Sequence, residues 1–279
     1  MCRWLAYSGS PILLREALYA PAHSLIDQSL HSRFGAEPTN GDGFGVGWYD
    51  SDGSPGVFRS IEPAWNDANL REISPRIRSG LVLAHIRAAI GSPVQQTNCH
   101  PFRHDNWLFM HNGFLGGFHD VKRDLVLEID PSLYSSIEGS ADTEVLFYLA
   151  LTYGLRDDAA AAVERAVGLI EDVGMRHGVE NPIQMTVATT NGDQIWAFRY
   201  SSEGASRSLY YSTSIVALRE IYPENQQFQD LDVDTRLVVS EPLGELPGAW
   251  NEVPEASWGV VHSGADDEMH TFTPRPTAA

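Results

Sequence analysis

The sequence predicts an α+β fold rich in antiparallel sheet. Three observations carry this: short alternating apolar segments fill the N-terminal part, two apolar helical stretches follow one another in the middle, and strand-like segments return over the C-terminal third.

Taken in order, Trp4 to Ser8 alternates as a strand, followed by helical patterns from about Ile12 to Tyr19 and from His23 to Leu30. The loop FGAEPTNGDG is dense in Gly, Pro, Asn and Asp, and its part from Phe34 to Asn40 is a candidate lid. FGVGWYD reads as a strand whose glycines imply close approach by another backbone, with VFRSI (Val57 to Ile61) as its hairpin partner. In the strand Leu81 to Arg87, Leu81, Leu83, His85 and Arg87 share one face, and Val82, Ala84 and Ile86 the other. Its first face turns polar at the C-terminal end, where a site can begin. Trp107 to Gly113 is another strand that ends in a polar turn. An apolar helix follows Asp142, and an alanine-rich amphipathic helix runs from about Asp158 to Arg176. The segments IQMTVATT, QIWAFRY, SLYYSTS, RLVVS and WGVVH complete the set of strands. No long linker or internal repeat interrupts the chain, so one domain over 1–279 is expected, with a partly loose tail over 263–279.

Composition narrows the function. With 37 acidic and 19 basic residues the formal net charge is −18, and no basic run exceeds two residues. That excludes nucleic-acid and anionic-membrane binding as working expectations, since both need clustered Lys and Arg. No apolar run approaches the ~20 residues of a membrane span. Arg3, Arg15 and Glu16 interrupt any signal-like stretch, so a cytoplasmic protein is expected. Two cysteines, Cys2 and Cys99, do not make a disulfide scaffold. There is no CxxC, HExxH or Walker-type loop, and no metal or cofactor is expected. His100, His104, His111 and His119 fall close together without acidic or thiol ligands at metal spacing. Cys99 reads as a small buried residue.

Cys2 directly follows the initiator methionine, which is removed when the next residue is small. Cys2 would then carry both a thiol and a free α-amine. With reference pKa values near 8 for the amine and about 8.5 for the thiol, the amine can take the thiol proton near neutral pH. Base and nucleophile then sit on one residue.

Five polar elements end or open apolar segments: NGDGFG (Asn40 to Gly45), AHIRAAIG (Ala84 to Gly91), NCHPF (Asn98 to Phe102), HNG (His111 to Gly113) and GSADTE (Gly139 to Glu144). Singly, each has an ordinary structural role. Arg87 can be a surface ion-pair partner, Asn112-Gly113 a turn, and Asp142 a helix N-cap. Together, in the order Met-Cys, H-x-R, HNG and D-[ST]-E, they resemble the class-II glutamine amidotransferases, a branch of the N-terminal-nucleophile hydrolases. Within that family the chain is most similar to the stand-alone group: YafJ-type bacterial proteins, the hydrolase of ergothioneine synthesis and the fungal glutathione-degradation glutaminase-like subunit. PAHSLIDQSL, NGDGFGVGWY, PAWNDANL, NCHPF and FMHNG are most similar to the last of these, and the resemblance continues weakly into VVSEPL (Val238 to Leu243) and Trp250.

The resemblance implies a four-layer αββα sandwich, with two stacked antiparallel sheets between helices. It implies that Cys2 attacks the side-chain carbonyl of a γ-glutamyl amide, with its α-amine as base and then acid. The Asn112 side-chain amide and the Gly113 N–H would hold the oxyanion. Arg87 would take the substrate α-carboxylate as a bidentate fork, Asp142 would take the α-ammonium, and His100 would shape the pocket. Asn40, Asp42, His85 and Thr143 would support these groups. The sequence departs from the synthase-fused members at Ala88 and Ile90, where those carry Trp and Thr. A smaller wall beside the arginine leaves room for a γ-glutamyl compound with a leaving group larger than ammonia. The partner expected is thus a small γ-glutamyl substrate, with a separate partner protein or a second copy of the chain left open. Alternatives are a glutaminase subunit that delivers ammonia to a partner synthetase, and a non-catalytic homologue that keeps the glutamyl pocket.

Overall fold

The computed structural model of the chain describes residues 2–31, 39–89, 91–262 and 268–275. The proposed lid from Phe34 falls largely on residues outside that set, as does Ile90.

Among the described residues, all strands pair antiparallel in two sheets. The first has seven strands: β1 (Arg3–Leu13), β2 (Phe44–Tyr49), β3 (Pro55–Ser60), β4 (Arg78–Ile86), β9 (Tyr210–Ser212), β10 (Arg236–Val239) and β11 (Trp250–Glu252), in the order β11-β9-β10-β1-β4-β2-β3. The second has six: β5 (Phe102–His104), β6 (Trp107–Leu115), β7 (Ile183–Thr190), β8 (Ile195–Ser201), β12 (Ser257–Val261) and β13 (Glu268–Thr271), in the order β13-β12-β8-β7-β6-β5.

Strand alternation sorts the apolar residues into three layers. Trp4 and Ala6 of β1 and Leu81 and Leu83 of β4 face Leu108, Met110 and Ala188 of the second sheet. The opposite faces, Leu5 and Tyr7 with Val82, Ala84 and Ile86, pack against α1 (Leu14–Leu18) and α2 (Leu25–Leu30). The outer face of the second sheet, including Phe109, Met185 and Val187, packs against α4 (Phe118–Leu127), α5 (Asp142–Thr152) and α6 (Ala159–Arg176). The result is helices, sheet, sheet, helices, as the resemblance implied. Each large apolar side chain buried in these layers contributes about 1.5–3 kcal/mol relative to exposure.

The glycines of β2 do what their placement predicted. A Cβ on Gly45 would lie 2.2 Å from the His100 carbonyl oxygen, and one on Gly47 would lie 2.7 Å from Leu108 Cδ1. Their absence lets the NCHPF segment press against the first sheet.

Several boundaries differ from the sequence reading. β1 continues to Leu13, so the first helix begins at Leu14 rather than Ile12. Asn112-Gly113 is not a turn, because β6 runs through both residues to Leu115. Helices α3 (Ala68–Ile73), α4, α7 (Ile215–Ile221) and α8 (Gln226–Asp230) were not anticipated. The tail is anchored as far as residue 275: Phe272 is buried, and Arg275 pairs with the Glu164 carboxylate at 2.7 Å.

Candidate active site

One cleft brings together the ends of β1, β4 and β6 and the start of α5. It is lined by Cys2, Arg87, Ala88, Ser92, His100, His111, Asn112, Gly113, Asp142, Thr143 and Arg207, among others. The residues to which the sequence assigned direct roles, Cys2, Asn112, Gly113, Arg87, Asp142 and His100, all line it.

Cys2 precedes β1 at the level where Arg3 pairs with Ile86 and Trp4 with His85 on β4. The Ala88 N–H points to Cys2 Sγ at 3.4 Å, and Sγ lies 3.5 Å from the Ala88 carbonyl. Burial pushes the thiol pKa up; the Ala88 N–H and the charge of Arg87 pull it back, and Asp142 adds to the rise. The net effect is upward, so near neutral pH Cys2 is a thiol that needs a base.

Arg87 follows β4 and is 4% exposed, so it is not a surface residue. Its N–H donates to the Gly43 carbonyl at 2.8 Å, and its carbonyl accepts from Asp42 N–H at 3.1 Å, which extends the β2–β4 pairing into the cleft. The guanidinium donates to Ser92 Oγ at 2.6 Å and has no carboxylate partner among the described residues. Asp42 steadies this corner, with Oδ2 accepting from Ala89 N–H at 2.8 Å. Asn40 is buried outside the cleft lining, and its N–H donates to the Ser29 carbonyl at 2.8 Å.

Asp142 is the first residue of α5 rather than its N-cap, which is Ala141. Its carboxylate accepts from Thr143 N–H at 2.7 Å and from Leu115 N–H at 2.9 Å, tying the helix start to β6. Asn98 sets the preceding turn. Its side-chain oxygen accepts from Ser140 N–H at 2.8 Å and Ala141 N–H at 3.2 Å.

On β6, even-numbered residues face the first sheet and odd-numbered ones the helices. Asn112 therefore points to the Cys2 side, and its side-chain amide has no protein partner among the described residues. His111 points the other way, with Nδ1 2.8 Å from Thr143 Oγ1 and Nε2 3.3 Å from the Gln184 carbonyl. A carbonyl only accepts, so Nε2 carries the hydrogen and Nδ1 accepts from the threonine hydroxyl. Gly113 is required here by close approach, since a Cβ would lie 1.9 Å from the Gln184 carbonyl oxygen and 2.5 Å from His111 Nε2.

His85 Nε2 lies 3.2 Å from the His111 carbonyl and 3.0 Å from His100 Nδ1. The same reasoning puts the His85 hydrogen on Nε2, shared between that carbonyl and His100 Nδ1. Burial drives the His85 pKa down to about 3 and the His100 pKa well below its ordinary value. These rings are neutral struts that bind the two sheets together.

Two further features lie outside the roles assigned from the sequence. Arg207 lines the cleft from the segment between β8 and β9. Arg3 donates to the Cys2 carbonyl at 2.9 Å and to Glu241 Oε2 at 2.7 Å, and His23 Nε2 meets the other Glu241 oxygen at 2.9 Å. PAHSLIDQSL and VVSEPL thus meet beside the nucleophile. Cys99 is a buried free thiol, as read.

Comparison with known proteins agrees with this architecture. The "Probable glutamine amidotransferase DUG3" of Saccharomyces cerevisiae is 33% identical over 288 residues, covering 92% of the chain and 80% of that protein. The "Gamma-glutamyl-hercynylcysteine sulfoxide hydrolase" of Mycolicibacterium smegmatis is 31% identical, covering 87% of the chain and all (100%) of that protein. A solved glutamine aminotransferase class-II domain protein from Silicibacter pomeroyi superposes with a TM-score of 0.75 at 31% identity, covering 98% of the chain and 100% of its own. The family profile described as "Glutamine amidotransferases class-II" matches residues 17–278, a span that holds every cleft residue discussed here except Cys2. The chain belongs to the class-II glutamine amidotransferases.

Proposed function

We propose that the chain hydrolyses γ-glutamyl amide bonds through a γ-glutamyl thioester on Cys2. The observation that carries this reading is the cleft itself: a thiol beside a buried arginine and an aspartate, with the Asn112 amide, unpartnered among the described residues, on the same side. A glutamyl group carries an α-carboxylate and an α-ammonium, and Arg87 and Asp142 offer the opposite charges.

With Met1 removed, the Cys2 α-amine takes the thiol proton as sulfur attacks the amide carbon, forming the S–C bond. The carbonyl oxygen becomes an oxyanion held by the Asn112 amide and the Gly113 N–H. The α-ammonium returns the proton to the departing nitrogen as the C–N bond breaks, releasing the amine and leaving the thioester. A water molecule, deprotonated by the same amine, adds to the thioester, and the thiol leaves with glutamate as the free product. The raised thiol pKa supports a base-dependent attack over a standing thiolate.

The first sheet supplies Cys2 and Arg87, the second supplies Asn112, and the helix layer supplies Asp142. We therefore take the chain as one catalytic unit. Ala88 gives the cleft a small side chain beside Cys2. The Mycolicibacterium relative is named for a γ-glutamyl compound larger than glutamine. Both favour a substrate with a bulky leaving amine.

Incubation with a γ-glutamyl amide in the presence of hydroxylamine tests the reading. Glutamate and γ-glutamyl hydroxamate are expected, and both vanish in Cys2→Ala. Turnover that persists in Cys2→Ala would remove Cys2 from the mechanism.

A further inference from the structure

Building on the γ-glutamyl reading, we propose that Arg207 forms a second anion-binding point of the cleft, which recognises a carboxylate on the leaving amine. The preferred substrates are then γ-glutamyl amino acids or peptides rather than glutamine, whose leaving group is ammonia.

The chain carries a net charge of −18, and six of its arginines pair with carboxylates among the described residues. They are Arg3, Arg76, Arg123, Arg156, Arg199 and Arg275. Arg207 is half-buried in the cleft wall, yet its guanidinium has neither a carboxylate nor a carbonyl partner among the described residues. A cation that is partly desolvated and left without a counter-ion on an acidic protein is placed to receive an anion from outside.

Its backbone is held on both sides. The Ala205 carbonyl accepts from Gln184 Nε2 at 3.0 Å, and Ser206 N–H donates to Glu255 Oε2 at 3.1 Å. Beyond Arg207, Ser208 Oγ donates to the Ser240 carbonyl at 3.0 Å, and the Leu209 carbonyl accepts from Val253 N–H at 2.8 Å. The guanidinium is thus delivered to the cleft from a fixed stem, which lowers the cost of ordering it on binding.

Arg207 lines the same cleft as Cys2, Arg87 and Asp142. If Arg87 and Asp142 hold the glutamyl head, the Arg207 guanidinium is left for the amine bound beyond the scissile carbonyl. Ammonia brings nothing for the guanidinium to bind, whereas the carboxylate of an amino acid does.

The test compares γ-glutamylglycine with its C-terminal amide, which differs only in the charge that Arg207 would read. In the unaltered protein kcat/KM favours the acid. In Arg207→Ala the acid-to-amide ratio falls about 10- to 100-fold, the usual range for loss of a charge-assisted contact, and Arg207→Lys restores part of it. Because the ratio is taken within one preparation, partial misfolding of a variant cancels. An unmoved ratio in Arg207→Ala overturns the proposal, and so does turnover of glutamine alone. In either case the γ-glutamyl reading stands. Absence of turnover of every γ-glutamyl amide by protein beginning at Cys2 overturns both.

Discussion

Arg3 and Glu241 form a buried ion pair at 2.7 Å, with side chains 5% and 1% exposed, across 238 residues of sequence. Through its Nη1 the same arginine holds the Cys2 carbonyl. The pair therefore fixes the residue on which the chemistry depends. Replacing Glu241 by Ala leaves the guanidinium buried without its counter-ion, at a cost of about 3–5 kcal/mol. Urea unfolding should show that loss, and kcat should fall as Cys2 loses its register. An unchanged unfolding midpoint would mean that the pair is solvated in practice.

Asn112 carries a different prediction, because its side-chain amide makes no hydrogen bond to protein among the described residues. Asn112→Ala should leave stability within about 1 kcal/mol of the parent while kcat drops by about 10²–10³, equivalent to ~2.7–4 kcal/mol of transition-state stabilisation. Steady-state kinetics alongside thermal unfolding checks the split. A fall in stability that matches the fall in rate would assign Asn112 a structural role instead.

Gly113 should tolerate no side chain. The Gln184 carbonyl belongs to β7 and cannot swing away, so the added methyl of Gly113→Ala must push β6 off its partner. Overpacking of this kind costs about 1–3 kcal/mol, and here it also misplaces an oxyanion donor. Reduced stability together with at least a ~100-fold loss of kcat is expected; near-parental activity would show that the strand gives way freely.

The buried histidines set a pH dependence of stability. His85 has an ordinary pKa near 6.5 when unfolded and about 3 when folded, so between these values the unfolded chain binds the extra proton. Its contribution is complete above about 6.5 and is lost as pH falls toward 3, at up to about 1.4 kcal/mol per pH unit. His100 and His111 are also shifted downward by burial and act in the same direction. Denaturant midpoints measured from pH 7 to pH 4 should fall steadily, and His85→Gln should flatten the slope. An identical slope in that variant would contradict a neutral buried His85.

What the sequence made legible follows from how local each signal was. The alternation in Leu81 to Arg87 placed its two faces correctly, because Leu81 and Leu83 enter the layer between sheets while Val82, Ala84 and Ile86 face the helices. Asn112-Gly113 misled, since the dipeptide favours turns. Here the glycine serves the close approach of Gln184 and His111 within a continuous strand. α4 carries Phe118, Val121 and Leu125 at helical spacing and could have been read from its pattern, whereas α3, α7 and α8, of 6, 7 and 5 residues, each span less than two helical turns. Cys2 stood out because it follows the initiator methionine, and Arg87, Asn112 and Asp142 because each lies where an apolar segment ends or opens. Glu241 and Arg207 did not, because their significance lies in contacts made only once distant segments fold together.

Whether Cys2 is a terminal thiol nucleophile in a γ-glutamyl pocket is read from intact mass before and after treatment with the glutamine-like electrophile 6-diazo-5-oxo-norleucine. A protein lacking Met1 that gains one covalent adduct is expected, with no adduct in Cys2→Ala. A protein that begins at Cys2 and stays unmodified, or an adduct that survives in Cys2→Ala, would contradict that role for Cys2.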